Sequence, residues 1–202
     1  ETLEEASHGD LIALKHQPTA VELMDDTVMQ AAKQNIEQRK NRFFVQGDPG
    51  AMLMIEFSFE TEEQLKNKAG ELEKDFRNAG LGYHFPLVTG AEKIKRVWAL
   101  RTAGLGLLAN IPGDRKGVPG IEDTAVAPNR LPGYVADIKK VLSRLGLTSV
   151  FYAHISVGEI HFRPLINFKD PADVERFDQL MNEVAILVKK YRGSMSGEHG
   201  DG

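Results

Sequence analysis

The stretch YAHISVGEIHFRP, residues 152–164, places two histidines seven positions apart around a Val-Gly pair, with apolar runs on either side. If Val157-Gly158 is the corner of a hairpin, Ser156 faces Glu159, Ile155 faces Ile160 and His154 faces His161. Residues opposed in this way hold their Cβ atoms about 4.5–5.5 Å apart on one face of a sheet. On an uninterrupted strand the same two histidines would lie on opposite faces. The reading is therefore a hairpin of 148–155 with 159–166, which commits the chain to local antiparallel pairing and lets two imidazoles share a metal ion.

The rest of the chain is read around that hairpin. DLIALKH (10–16) has strand composition, and TAVELMDDTVMQAAKQ carries Val21, Met24, Val28 and Ala32 at helical spacing. AMLMIEFSF (51–59) predicts a buried strand. A helix follows, capped by Thr61, with Leu65, Ala69, Leu72 and Phe76 on its apolar face and Gly80 ending it. YHFPLV (83–88) reads as a strand, 91–103 as a helix, 111–120 as a loop, 123–128 as a short strand and 131–146 as a helix ending at Gly146. A long amphipathic helix from Pro171 to Tyr191 closes the pattern. Strands alternating with helices, about six strands in all, predict an α+β fold: a ferredoxin-like antiparallel or mixed sheet with helices packed on one face. A doubly wound parallel fold ranks second, because no Gly-rich nucleotide turn follows a strand.

Composition narrows the function. The 202 residues form one domain, 1–202, with 42% hydrophobic residues and a net charge of −4, which argues against a nucleic-acid surface. No apolar run reaches the roughly 20 residues that span a bilayer. The chain has no cysteine, so it has neither disulfides nor thiolates for an iron-sulfur cluster. The expected location is cytoplasmic, or peripheral to a membrane through an electron-transfer partner. The chain opens on Glu1 and ends on the polar SMSGEHGDG, and it is read as a piece of a longer polypeptide.

Three of the six histidines, His154, His161 and His199, fall in the last quarter. His199 follows Glu198 in GEHGDG, where glycines free the backbone to bring a carboxylate and an imidazole to a common point. Two histidines and a carboxylate are a catalytic zinc set with an open position, and His199 beside it is placed to act as a base. Arg101, beside Trp98, is either a surface arginine stacked on its neighbours or a clamp for an acid substrate. Arg163, two residues past His161, points to the same strand face. Lys116, Glu122 and Asp123 sit in or beside a Gly/Pro loop, where solvated charge is the default.

HISVGEIHFRP together with SGEHGDG resembles the C-terminal, substrate-side domain of FAD-linked oxidases of the vanillyl-alcohol oxidase type, a group that includes D-lactate dehydrogenase, glycolate oxidase and D-2-hydroxyglutarate dehydrogenase. PTAVELMD, WALRTAGLGLL and IEDTAVAPNRLPGYV occur in the family's order. The resemblance implies that His154, His161 and Glu198 bind a divalent metal, with zinc as the first choice, that His199 is the catalytic base and that Arg101 receives the substrate carboxylate. It also implies FAD held by a domain of the same polypeptide preceding residue 1. The family hairpin reads H-x-G-x-G-N-x-H, whereas here Ser156, Val157 and Glu159 replace the first glycine, the middle residue and the asparagine, and Arg163 stands where many members have Asn. These departures resemble the subgroup fused to an iron-sulfur segment. The implied activity is oxidation of a D-2-hydroxy acid to the 2-oxo acid, with hydride passing to FAD and on to an unidentified electron acceptor. The residues alone also admit a metal-dependent hydrolase, or a non-catalytic binding or assembly module.

Overall fold

The computed structural model describes residues 2–109, 112–121 and 123–198. Its elements are, in chain order, α1 (Leu3–Lys15), β1 (Ala20–Asp25), α2 (Asp26–Gln34), α3 (Ile36–Arg39), β2 (Ala51–Glu56), α4 (Glu62–Asn78), α5 (Ala91–Ala109), β3 (Lys116–Gly117), β4 (Thr124–Ala125), α6 (Leu131–Leu145), β5 (Ser149–Ala153), β6 (Glu159–Ile166) and α7 (Pro171–Lys190). The strands form a sheet in the order β2-β1-β5-β6-β3, with β4 pairing β6 beside that path. Every pairing is antiparallel, as the α+β reading expects.

The period-2 alternation of the central strands divides the core. Val21, Leu23, Phe151, Ala153, Ile160 and Phe162 face the main helical layer, where α1, α4, α6 and α7 supply residues such as Ala13, Phe76, Ile138 and Val184. Met24, Val150 and Tyr152 face the other way, onto Val28, Met29 and Ala32 of α2 and Leu100 of α5. Fully burying one such side chain is worth roughly 1.5–3 kcal/mol. The helices thus concentrate on one face, and α2 and α5 add a smaller cover on the second. The functional residues lie on that second face.

Three local expectations are corrected. Residues 10–16 are not a strand but the end of α1, which Thr2 and Glu5 start with reciprocal capping bonds. Leu3, Ala6, Asp10 and Ala13 are buried at helical spacing, a period too long to show in seven residues. The helical spacing across 21–32 spans two elements. Val21 to Asp25 are all buried because β1 is covered on both faces, and the helix begins only at Asp26, where the Asp25 carboxylate accepts the amide of Val28. Residues 83–88 make no strand, because Pro86 lacks an amide to donate and Phe85 instead packs edge-on to Phe76.

On the buried side of α1, Asp10 is fully inaccessible and neither carboxylate oxygen has a hydrogen-bond partner among the described residues. Burial pushes its carboxyl up to about 7. The unfolded chain ionises near 3.8, so stability falls as pH rises from about 4, and the penalty is complete above about 7. Asp10→Asn should therefore raise the unfolding free energy by about 2 kcal/mol more at pH 8 than at pH 5. An equal gain at both pH values in thermal melts would contradict the assignment.

Candidate metal and substrate site

The hairpin exists, but its register differs from the expected one. Tyr152, not His154, lies opposite His161. The connection is not a two-residue corner but a 3-10 turn over Ile155–Val157, followed by Gly158 at φ 77°. His154 therefore stands just beyond the end of β5, and its side chain reaches back. Its ring centroid is 5.3 Å from that of His161 and nearly perpendicular to it, while Tyr152 stacks on His161 at 4.7 Å.

Glu22 explains how His154 is aimed. β1 runs antiparallel to β5 with Leu23 opposite Ala153, which brings Glu22 level with His154. Oε1 of Glu22 lies 2.8 Å from Nδ1 of His154, and Oε2 accepts from Nε of Arg101 at 2.9 Å. This bond raises the His154 pKa, against desolvation, which lowers it. It also turns Nε2 of His154 toward the site, as a carboxylate does for a metal-ligating histidine. Arg101 packs over the ring of Tyr152, 5.3 Å from its centroid. Arg101 is thus neither solvated nor on an outer helix face: it belongs to the site through Glu22.

The C-terminal segment closes the cluster from the other side. Ala125 of β4 bridges Ser194, with amides donated both ways at 3.0 and 2.8 Å. The Asp123 carboxylate accepts from the Ser196 hydroxyl at 2.8 Å and from the Glu198 amide at 3.1 Å. β4 in turn pairs with β6, Ala125 opposite Glu159. Asp123 is therefore buried, not solvated, and ties the terminal segment back to the hairpin.

One donor atom from each of His154, Glu159, His161 and Glu198 lies within 4.8 Å of all the others. Glu198 Oε1 is 3.7 Å from Nε2 of His154 and 3.6 Å from Nε2 of His161, and Glu159 Oε1 is 3.5 Å from the latter. An ion with ligands at about 2.0–2.2 Å separates neighbouring donors by roughly 3.3–3.6 Å in a tetrahedral shell. The donor set and its spacing therefore fit a divalent metal. Glu159 is pushed up to about 8 by burial first, then by Asp123 and Glu198.

The expected ligands His154, His161 and Glu198 are thus brought together. Arg163 shares the His161 face of β6 and is half-buried, opposite Val150. Lys116 is exposed on β3. His199 and Glu122 lie outside the described residues. Sequence reading missed Glu22 and Glu159. Glu22 had a signal, as the lone charge inside the apolar run AVELM, whereas Glu159 was noted only as a replacement for asparagine.

A family model described as the C-terminal domain of FAD linked oxidases matches residues 8–202. The chain belongs to this family. D-2-hydroxyglutarate dehydrogenase of Pseudomonas putida is 31% identical over 197 residues, covering 94% of this chain and 19% of the relative. Glycolate oxidase subunit GlcD of Escherichia coli K12 is 25% identical over 194 residues, covering 96% of this chain and 37% of the subunit. The chain spans about a fifth of the length of the curated D-2-hydroxyglutarate dehydrogenase it matches. Among solved structures, 4-ethylphenol oxidase from Gulosibacter chungangensis superposes with a TM-score of 0.53 at 12% identity, covering 96% of this chain and 43% of that one, a likeness of fold alone. Among the described residues no helix is long and apolar enough to cross a membrane.

Proposed function

We propose that this family member is the substrate-side domain of an FAD-dependent dehydrogenase that oxidises a D-2-hydroxy acid to the 2-oxo acid. The observation that carries the reading is the convergence of the His154 and His161 Nε2 atoms with Glu198 Oε1 beside the half-buried Arg101. Membership of the FAD-linked oxidases and likeness to D-2-hydroxyglutarate dehydrogenases support it. In this reading the final electron acceptor is unidentified, a further domain of the same polypeptide would hold the FAD, and an iron-sulfur segment elsewhere in it would be a candidate electron carrier. The curated relatives' much greater length leaves room for both.

In this reading His154, His161 and Glu198 hold the divalent metal, with zinc as the first choice and manganese or iron compatible with the same donors. A metal held there would act as a Lewis acid that lowers the pKa of the substrate hydroxyl. Glu22 holds one edge of the Arg101 guanidinium, its Oε2 accepting from Nε and lying 2.8 Å from Nη2 as an ion pair, which fixes the plane and presents the opposite edge to the substrate carboxylate. Arg163, on the His161 side, suits a second anionic group. His199 would take the hydroxyl proton, and FAD, when bound, would supply the acceptor for the Cα hydride.

The test is anaerobic bleaching of the flavin in the complete polypeptide, offered glycolate and the D and L forms of lactate, 2-hydroxyglutarate and malate. One D acid should bleach it rapidly and its L form should not. His199→Ala should slow that bleaching about 10²- to 10⁴-fold with the unfolding temperature unchanged. Flavin that stays oxidised with every acid would refute the chemistry.

A further inference from the structure

We propose that Glu159 is a fourth ligand of the divalent cation, closing a two-histidine, two-carboxylate shell with His154, His161 and Glu198. This rests on the metal reading above and goes beyond the three ligands that reading requires.

Three observations carry it. First, Glu159 is almost wholly buried, 4% exposed, and its Oε1 has no hydrogen-bond partner among the described residues. An unsatisfied buried carboxylate oxygen costs more than a neutral group would, so proteins rarely keep one without a cation. Second, that same atom faces the cluster, 3.5 Å from Nε2 of His161. This edge matches the 3.6 and 3.7 Å edges that Glu198 makes with the two imidazoles. Third, the surroundings fix the carboxylate. Ala125 pairs opposite Glu159, and a Cβ on Gly197 would meet Ala125 Cβ, Asp123 Oδ1 and Glu159 Cδ, each at 3.2 Å. A side chain at 197 would press on all three, so glycine there lets the terminal segment lie close against Glu159 and present Glu198 beside it.

Four protein donors would close a tetrahedral zinc. A substrate joining this ion would raise its coordination to five or six, which zinc reaches only by expanding its shell and which manganese or iron accept readily. The competing explanation is that Glu159 is a neutral acid whose only task is to share a proton with Asp123.

The experiment is a titration of the complete, chelator-stripped polypeptide with Mn²⁺, followed by calorimetry and by the metal-induced rise in unfolding temperature. Four proteins are compared: wild type, Glu159→Gln, Glu159→Asp and His161→Ala. Glutamine keeps the shape and can still hydrogen-bond Asp123. Aspartate keeps the charge but withdraws the oxygen by one methylene. We expect both Glu159 variants to bind Mn²⁺ more weakly by about 10- to 100-fold or more, with metal-free unfolding temperatures like the wild type. Wild-type affinity in Glu159→Gln or Glu159→Asp, with binding lost in His161→Ala, would overturn the fourth ligand and leave the three-ligand site standing. Absence of Mn²⁺ binding in the wild type, or undiminished binding in His161→Ala, would overturn the metal reading and this inference with it.

Discussion

On the proposed metal reading, His161→Ala should lower substrate-driven flavin reduction about 10³-fold, abolish divalent-metal binding and leave the polypeptide folded. His161 sits on β6, 3% exposed, with its ring stacked on Tyr152, and its Nε2 is within 3.6 Å of both glutamate oxygens. Its two nearest ring neighbours do not replace it. Tyr152 offers no nitrogen, and His154 is already turned by Glu22. Lewis-acid help of several kcal/mol corresponds to about 10³ in rate at about 1.4 kcal/mol per factor of ten. The stability cost is smaller, because Arg101 still packs over Tyr152 and the main helical layer on the opposite face is untouched. Metal analysis and circular dichroism of the variant separate the two effects. Full metal content with unchanged reduction would remove His161 from the site.

The second large effect is one of stability. Gly158 has φ 77°, a region that costs other residues about 1–2 kcal/mol. A Cβ there would also sit 1.8 Å from the carbonyl oxygen of Val126 and 3.2 Å from the backbone nitrogen of Pro128. The Val126 amide donates to the Gly158 carbonyl at 3.0 Å, so the β4 segment crosses directly over the hairpin turn. Gly158→Ala therefore forces β4 away, and with it the Asp123 and Ala125 contacts that carry Glu198. The expected loss is about 3 kcal/mol or more, together with weakened metal binding. Gly146→Ala is the control. Gly146 has a similar φ of 65° at the end of α6, with nothing near its missing Cβ, so only the backbone cost of about 1 kcal/mol applies. Equal destabilisation of the two variants in denaturant melts would show that the crossing of β4 over the turn is not tight.

What could be read from the sequence divides along physical lines. α4 and α6 were legible because each carries its own start or stop: the Thr61 capping box and the left-handed Gly146. β1 was hidden because a strand covered on both faces loses its alternation, and its apolar residues then match a helical period by coincidence. The histidine pair was found through a wrong register. The two-residue corner was replaced by a 3-10 turn with a left-handed glycine, which slides the pairing so that His161 meets Tyr152. The imidazoles still converge, because His154 leaves the strand and reaches back to Glu22. That partner lies 132 residues away in the chain, a distance no local spacing encodes. Asp123 looked like loop charge for the same reason: its partners, Ser196 and Glu198, belong to the other end of the chain.

The most direct test of the central claim is stopped-flow flavin reduction by the active D-2-hydroxy acid in the complete polypeptide, run untreated, stripped with chelator and reloaded with a divalent metal. Reduction should slow about 10³-fold on stripping and return on reloading, with flavin retained throughout. Stripped protein that holds its flavin, contains no metal and is reduced at the untreated rate would contradict the claim that His154, His161 and Glu198 gather a metal for this chemistry.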